Sequence, residues 1–169
     1  MIQNDNPRIG VFAGTFDPIT KGHLDIISRS IEFVDQLYVA VAVNSSKDSL
    51  FSASERKEMI ENELKDLAID SSKIKVEICD GLLAEFAKVK GANIAIRGIR
   101  SSVDFEYELQ MSRMNNVLNP NLQTIFLPAT FELQLVSSKL VKEVVRLNGK
   151  VDNFISTAVF NQLRQKFNN

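Results

Sequence analysis

The sequence has no tryptophan, a single cysteine and a single histidine among 169 residues, and each shortage removes a class of chemistry. One thiol, Cys79, cannot close an internal disulfide or build a cysteine-based zinc site, which fits a reducing compartment. One imidazole, His23, confines any Ser-His-Asp arrangement or multi-histidine metal centre to that residue. Charge of one sign is missing too. Lys and Arg number 20 against 21 Asp and Glu, a net charge of -1, so no global field is available to hold nucleic acid or an anionic membrane. No apolar run approaches the ~18 residues of a membrane span, and Met1 to Pro7 is polar. The expectation is a soluble cytoplasmic chain with neither nucleic acid nor membrane as partner. Glycine and proline are sparse, seven and four residues, and no linker, low-complexity stretch or internal repeat divides the chain. One domain over 1–169 is expected, with 1–7 as a polar extension.

What is present is alternation. Arg8 to Ala13 and Gln36 to Val43 are apolar runs without polar interruption, as strands buried on both faces are. Lys73 to Cys79 alternates, with Ile74, Val76 and Ile78 expected inward, while Asn93 to Ile96 and Leu122 to Leu127 complete five candidate strands. Helical periodicity fills the intervals: His23 to Val34, Ser52 to Leu67, Leu82 to Val89 and Val103 to Leu118, with Ser52 and Glu55 at capping-box spacing. Two further helices, Ser138 to Leu147 and Ile155 to Phe167, close the chain. Alternating units imply a parallel sheet with right-handed crossovers, hence an α/β doubly wound, Rossmann-like fold of five strands flanked by helices, and the order 3-2-1-4-5 is expected, which would make the first and fourth strands neighbours.

In such a sheet, ligands bind beyond the C-terminal strand ends where the order reverses, so the strand-to-helix loops hold the evidence. The first loop, Gly14-Thr15-Phe16-Asp17-Pro18-Ile19-Thr20-Lys21-Gly22-His23, sets the histidine at a helix start, an end that attracts phosphate. It is neither a Walker loop nor a G-x-G-x-x-G fingerprint. The loop after the fourth strand, Arg97-Gly98-Ile99-Arg100, carries two guanidinium groups around a glycine. Val136-Ser137-Ser138-Lys139 offers hydroxyls and amides at a third helix start. Three anion-favouring elements facing one crevice suggest a nucleotide.

These residues carry a resemblance. Gly14 to Pro18 with Thr20-x-Gly22-His23, Arg97 to Arg100 followed by Asp104-Phe105-Glu106-Tyr107-Glu108, and Ser137-Ser138 before Val141-Lys142-Glu143 together resemble the phosphopantetheine adenylyltransferases of the nucleotidylyltransferase superfamily. The resemblance runs from about Arg8 to Phe167. It implies transfer of the adenylyl group of ATP to 4'-phosphopantetheine, giving dephospho-coenzyme A and pyrophosphate, by direct in-line attack with His23 stabilising the transition state. It assigns Thr15, Phe16, His23, Gly98, Ile99, Arg100, Glu108, Leu133, Gln134, Leu135, Val136, Ser137, Ser138 and Lys139 to ATP. Thr15, Lys47, Leu83, Arg97 and Asn115 fall to the acceptor. Magnesium would arrive with ATP and no protein metal site is implied. A homohexamer and inhibition by coenzyme A belong to the same implication. Two departures stand out: Ala13 where many relatives have proline, and Lys139 in place of a third hydroxyl. A related transferase with another phosphorylated acceptor, and a nucleotide-binding regulator without chemistry, remain alternatives.

Overall fold

The structure is a computed structural model that describes residues 7–43, 48–67 and 69–168. Among the described residues five strands alternate with helices: β1 (Ile9–Gly14), α1 (Lys21–Ser30), β2 (Gln36–Val43), α2 (Ala53–Lys65), β3 (Ile74–Asp80), α3 (Leu83–Lys90), β4 (Ile94–Ile99), α4 (Ser102–Leu118), β5 (Gln123–Pro128), α5 (Ser138–Arg146) and α6 (Thr157–Asn168). All the pairings are parallel and the order is β3-β2-β1-β4-β5, the order expected. β1 lies at the centre, with Val11 beside Tyr38 of β2 on one side and Ala95 of β4 on the other.

Period-two alternation divides each central strand between two cores. On one face Phe12 packs with Leu24 and Ile27 of α1, Met59 and Ile60 of α2, Val141 and Val145 of α5, and Val159 and Leu163 of α6. On the other face Val11 and Ala13 meet Ala40, Cys79, Ala87, Ala95 and Leu122. Right-handed crossovers account for the division: β1 to β3 advance one way under α1 and α2, and the return to β4 puts α3 on the opposite face. The capping box at α2 forms as expected, Ser52 N–H donating to Glu55 Oε2 at 2.8 Å. Lys166 of α6 and then the Ser52 amide hold the Glu55 carboxyl down to about 2.

The structure corrects two details of the sequence reading. α1 ends at Ser30 rather than Val34, because the chain must turn back into β2. Val34 is nevertheless buried, over Gly10, where a Cβ would come within 2.9 Å of it. Ile78 is exposed rather than inward, since β3 is an edge strand and Ile78 lines an open depression with Lys57 and Glu61 of α2. Among the described residues no helix is long and apolar enough to cross a membrane.

Candidate active site

Strand order reverses between β1 and β4, and beyond their C-terminal ends lies a cavity of about 280 Å³. Gly14, Thr15, Phe16, Thr20 and His23 line it from the β1–α1 loop, Arg97, Gly98 and Arg100 from the end of β4, and Glu108 from α4. Leu133, Val136, Ser137 and Ser138 close it from the approach to α5. A wider depression of about 690 Å³ runs along the edge strand β3, away from every strand-to-helix loop that carries the motifs.

The loop is shaped by packing. Phe16 has φ of 50°, a left-handed backbone that costs a non-glycine residue on the order of 1 kcal/mol or more. Burial of its ring, 1% exposed, offsets that cost, with edge contacts to Phe12 at 5.5 Å and His23 at 5.0 Å. Gly14 permits this fold-back, because a Cβ there would lie 2.9 Å from the Phe16 ring. Gly98 lines the cavity and is also closely packed from behind. A Cβ at Gly98 would stand 3.2 Å from the Ile26 side chain, so the glycine eases the close packing of α1 on β4.

His23 is held in one tautomer. Thr20 N–H donates to Nδ1 at 3.1 Å and the Thr20 hydroxyl lies 2.9 Å from the same nitrogen, an N-cap in which the histidine takes the place of the usual Glu. Nδ1 therefore carries the lone pair and Nε2 the hydrogen. Burial, and then the Arg100 charge, lower the imidazole from its ordinary 6.5 to about 4. The ring is a neutral hydrogen-bond donor near neutral pH. Because the folded state resists the proton that the unfolded chain accepts, stability should be lost as pH falls from 6.5 towards 4, by up to about 3 kcal/mol. Denaturant unfolding of the parent and His23→Gln at pH 7 and pH 5 isolates this difference. The single imidazole should titrate by NMR with a midpoint near 4, and a midpoint at 6.5 would contradict the assignment.

Both arginines of the β4 loop are oriented by carboxylates of α4. Arg97 Nε donates to Glu108 Oε2 at 2.6 Å, its Nη2 pairs with Glu108 Oε1, and its Nη1 reaches the Ala13 carbonyl. Arg100 donates to Asp104 Oδ2 at 2.9 Å and to the Val136 carbonyl at 3.1 Å. The Ser137 hydroxyl caps α5 through Leu140 N–H, and the Ser138 hydroxyl donates to the Pro18 carbonyl at 2.7 Å. The two hydroxyls thus tie down the helix start. The first-turn amides of Ser138 and Lys139 are donors that the helix cannot satisfy internally, as at any anion-binding helix end.

The other expected site residues lie off the cavity lining. Ile99 ends β4, Gln134 and Leu135 are exposed, and Lys139 borders a groove with Lys142, Glu143 and Arg146. Leu83 packs against the α3-side core, and Asn115 is buried within α4. Lys47 lies outside the described residues. Cys79 is buried, and that burial raises its thiol above the ordinary value, which makes it a packing residue and not a nucleophile.

Sequence reasoning missed Arg56, and it quoted Asp17 and Thr20 in the first motif without giving either a role. Asp17, 5% exposed, accepts from Leu50 N–H and Phe51 N–H, each at 3.0 Å, and pairs with Lys142 of α5. Arg56, 3% exposed, donates from Nε to the Phe51 carbonyl at 3.1 Å and from Nη1 to those of Thr15 at 2.6 Å and Ala42 at 2.9 Å. Its signal was an arginine in helical register with Met59, Ile60 and Glu63 on the buried stripe of α2. The signal for Thr20 was its spacing of three from His23.

Residues 11–144 match the family described as cytidylyltransferase-like, the nucleotidylyltransferase class that this sheet and its crevice define. The chain is 48% identical to the phosphopantetheine adenylyltransferase of Wolbachia pipientis wMel, over 95% of this chain and 94% of that protein. It is 48% identical to that of Rhodospirillum centenum, over 95% and 87%, and 44% identical to that of Cereibacter sphaeroides, over 95% and 99%. The chain belongs to the phosphopantetheine adenylyltransferase family. Among solved structures it resembles a bifunctional NMN adenylyltransferase/ADP ribose pyrophosphatase of Francisella tularensis, complexed with AMP and a manganese ion. That likeness has a TM-score of 0.70 at 17% identity, over 97% of this chain and 50% of that one. It also resembles a nicotinic acid mononucleotide adenylyltransferase of Plasmodium falciparum complexed with NaAD, with a TM-score of 0.70 at 13% identity, over 96% and 97%. These two likenesses concern the fold alone.

Proposed function

We propose that this chain transfers the adenylyl group of ATP to the phosphate of 4'-phosphopantetheine, forming dephospho-coenzyme A and pyrophosphate in the cytoplasmic synthesis of coenzyme A. The observation that carries the reading is the 44–48% identity, over 95% of the chain, to proteins of that name. An oxygen of the acceptor phosphate bonds to the α-phosphorus of ATP as the bond to pyrophosphate breaks. The attacking oxygen is already anionic, so no proton needs removal and no covalent enzyme intermediate is required. The Nε2–H of neutral His23 donates to the phosphoryl oxygens as charge develops on them. Arg97, on the acceptor side, and Arg100, on the ATP side, exchange part of their carboxylate contacts for phosphate. The first-turn amides of α5 complete the cradle, with Lys47 assigned to the acceptor phosphate.

ATP would bring magnesium with it, and the ion would supply charge neutralisation at the phosphates. The nearby carboxylates offer no ready cage: Glu108 and Asp104 hold the arginines, and Asp17 is bound to two amides and Lys142. Among the described residues no three His, Cys, Asp or Glu groups cluster. Coenzyme A contains the adenylate and phosphopantetheine of the product and competes for the same crevice. Pyrophosphate release from ATP and magnesium, with and without 4'-phosphopantetheine, tests the reaction. Release that needs nicotinamide mononucleotide or another phosphorylated acceptor instead would replace it.

The assembly is read as a homohexamer, and α4 supplies a surface for it. Val103, Tyr107, Met111, Met114 and Leu118 are exposed at spacings of three and four, one apolar stripe facing away from the sheet. Met111→Glu combined with Met114→Glu should reduce the light-scattering mass to that of a single chain. A parent that is already monomeric would remove the reading.

A further inference from the structure

Arg56 is an unusual residue to find on a buried helix stripe. A guanidinium cannot shed its charge, and here burial acts against that charge while Asp17 supports it. Its three acceptors are main-chain carbonyls from three different segments: Thr15 in the motif loop, Ala42 near the end of β2, and Phe51 at the entry to α2. The segment between Ala42 and Phe51 carries Lys47, assigned to the acceptor, and the Thr15–Phe16 peptide belongs to the phosphate side. Asp17, one residue beyond that peptide, grips the amides of Leu50 and Phe51. The two buried charges therefore tie the Thr15–Asp17 stretch to Leu50 and Phe51, and Arg56 reaches Ala42 as well.

A trans peptide points its N–H opposite to its C=O. The bond from Arg56 to the Thr15 carbonyl thus fixes the direction of the Phe16 N–H, in a residue whose left-handed backbone needs external support. We propose that Arg56 is a positioning residue of the transfer site, whose guanidinium sets the Thr15–Phe16 peptide towards the phosphates and ties it to the end of β2 and the entry to α2. This rests on the adenylyl-transfer reading, and Arg56 acts through the main chain, without touching substrate. Phe16 in turn stands edge-on to His23 at 5.0 Å, so displacement of the loop must reach the imidazole.

Arg56→Met keeps the length of the stem and removes the three donors. The expected result is a kcat about 100-fold lower, with KM for both substrates within about threefold. The NMR resonance of the single histidine should move as the Phe16 ring shifts. Arg56→Lys should recover part of kcat, because an ammonium restores the charge beside Asp17 without the planar fork. Leu64→Ala, in the core on the same helix, supplies a destabilised control that should keep kcat and the His23 resonance. If Arg56→Met fails to fold, Arg56→Lys carries both readings. A kcat within twofold of the parent, or an unmoved resonance, overturns the proposal. Absence of acceptor-dependent release from the parent would overturn the reaction instead, and the resonance would still report on Arg56.

Discussion

Replacing His23 with alanine is expected to lower acceptor-dependent pyrophosphate release by about 10²- to 10³-fold, the cost of one transition-state donor, with ATP binding within a few-fold of the parent. The tautomer decides this outcome. Thr20 occupies Nδ1 from the backbone, so the only polarity the imidazole offers the cavity is the Nε2–H. Burial keeps that group neutral, with a midpoint of about 4, so it neither adds a full charge to the ground state nor waits for a proton near neutral pH. Such a donor gains most when charge builds on the phosphoryl oxygens, which is a loss in kcat and not in binding. His23→Gln separates this role from proton transfer. A side-chain amide is also a neutral N–H donor and should recover part of the rate, whereas a general base could not be replaced by glutamine. A rate for His23→Gln no better than for alanine, or an acid limb at the ordinary histidine midpoint, would refute the donor role.

The parts of the site that lie in one loop were legible in the sequence, and those that act between loops were not. Gly14 to His23 and Arg97 to Arg100 are contiguous runs, and the expected order 3-2-1-4-5 makes β1 and β4 neighbours, as they are. Their meeting at one cavity could be derived before any coordinates. Leu133 to Lys139 was legible only as a segment. Which of its residues face the cavity depends on the short turn at Phe131–Leu133 and on the cap at Ser137, and Leu135, 81% exposed, faces away. Arg56 bonds a carbonyl 41 positions away and Asp17 a lysine 125 positions away, separations at which no local pattern operates. Gly98, legible as part of an anion-binding motif, lines the cavity and in addition packs closely against Ile26, a contact between elements that no local pattern announces.

Asp17→Ala is expected to cost about 3–5 kcal/mol of stability and, in a chain of this length, to lower the melting temperature by about 10 °C. The carboxylate is buried, and its removal strands several partners together. The amides of Leu50 and Phe51 lose their acceptor, Lys142 loses its counter-charge, and Arg56 keeps a buried charge with nothing of opposite sign beside it. Asp17→Asn keeps an acceptor of the same shape and should recover the amide share but not the charge share, giving an intermediate loss. Lys142→Met removes the counter-charge from the α5 side. A double-mutant cycle of Asp17→Ala with Lys142→Met should return a coupling on the order of 1–3 kcal/mol, because the second change costs less once the first partner has gone. The outcome also decides between two uses for a carboxylate in a phosphate-binding loop. If Asp17 served chiefly as a ligand for the magnesium of ATP, the midpoint of a magnesium titration would move while the melting temperature stayed within a degree or two. A structural tie between the motif loop, the entry to α2 and α5 gives the opposite pattern: a large drop in melting temperature that lysine and aspartate changes share, and a magnesium midpoint close to that of the parent.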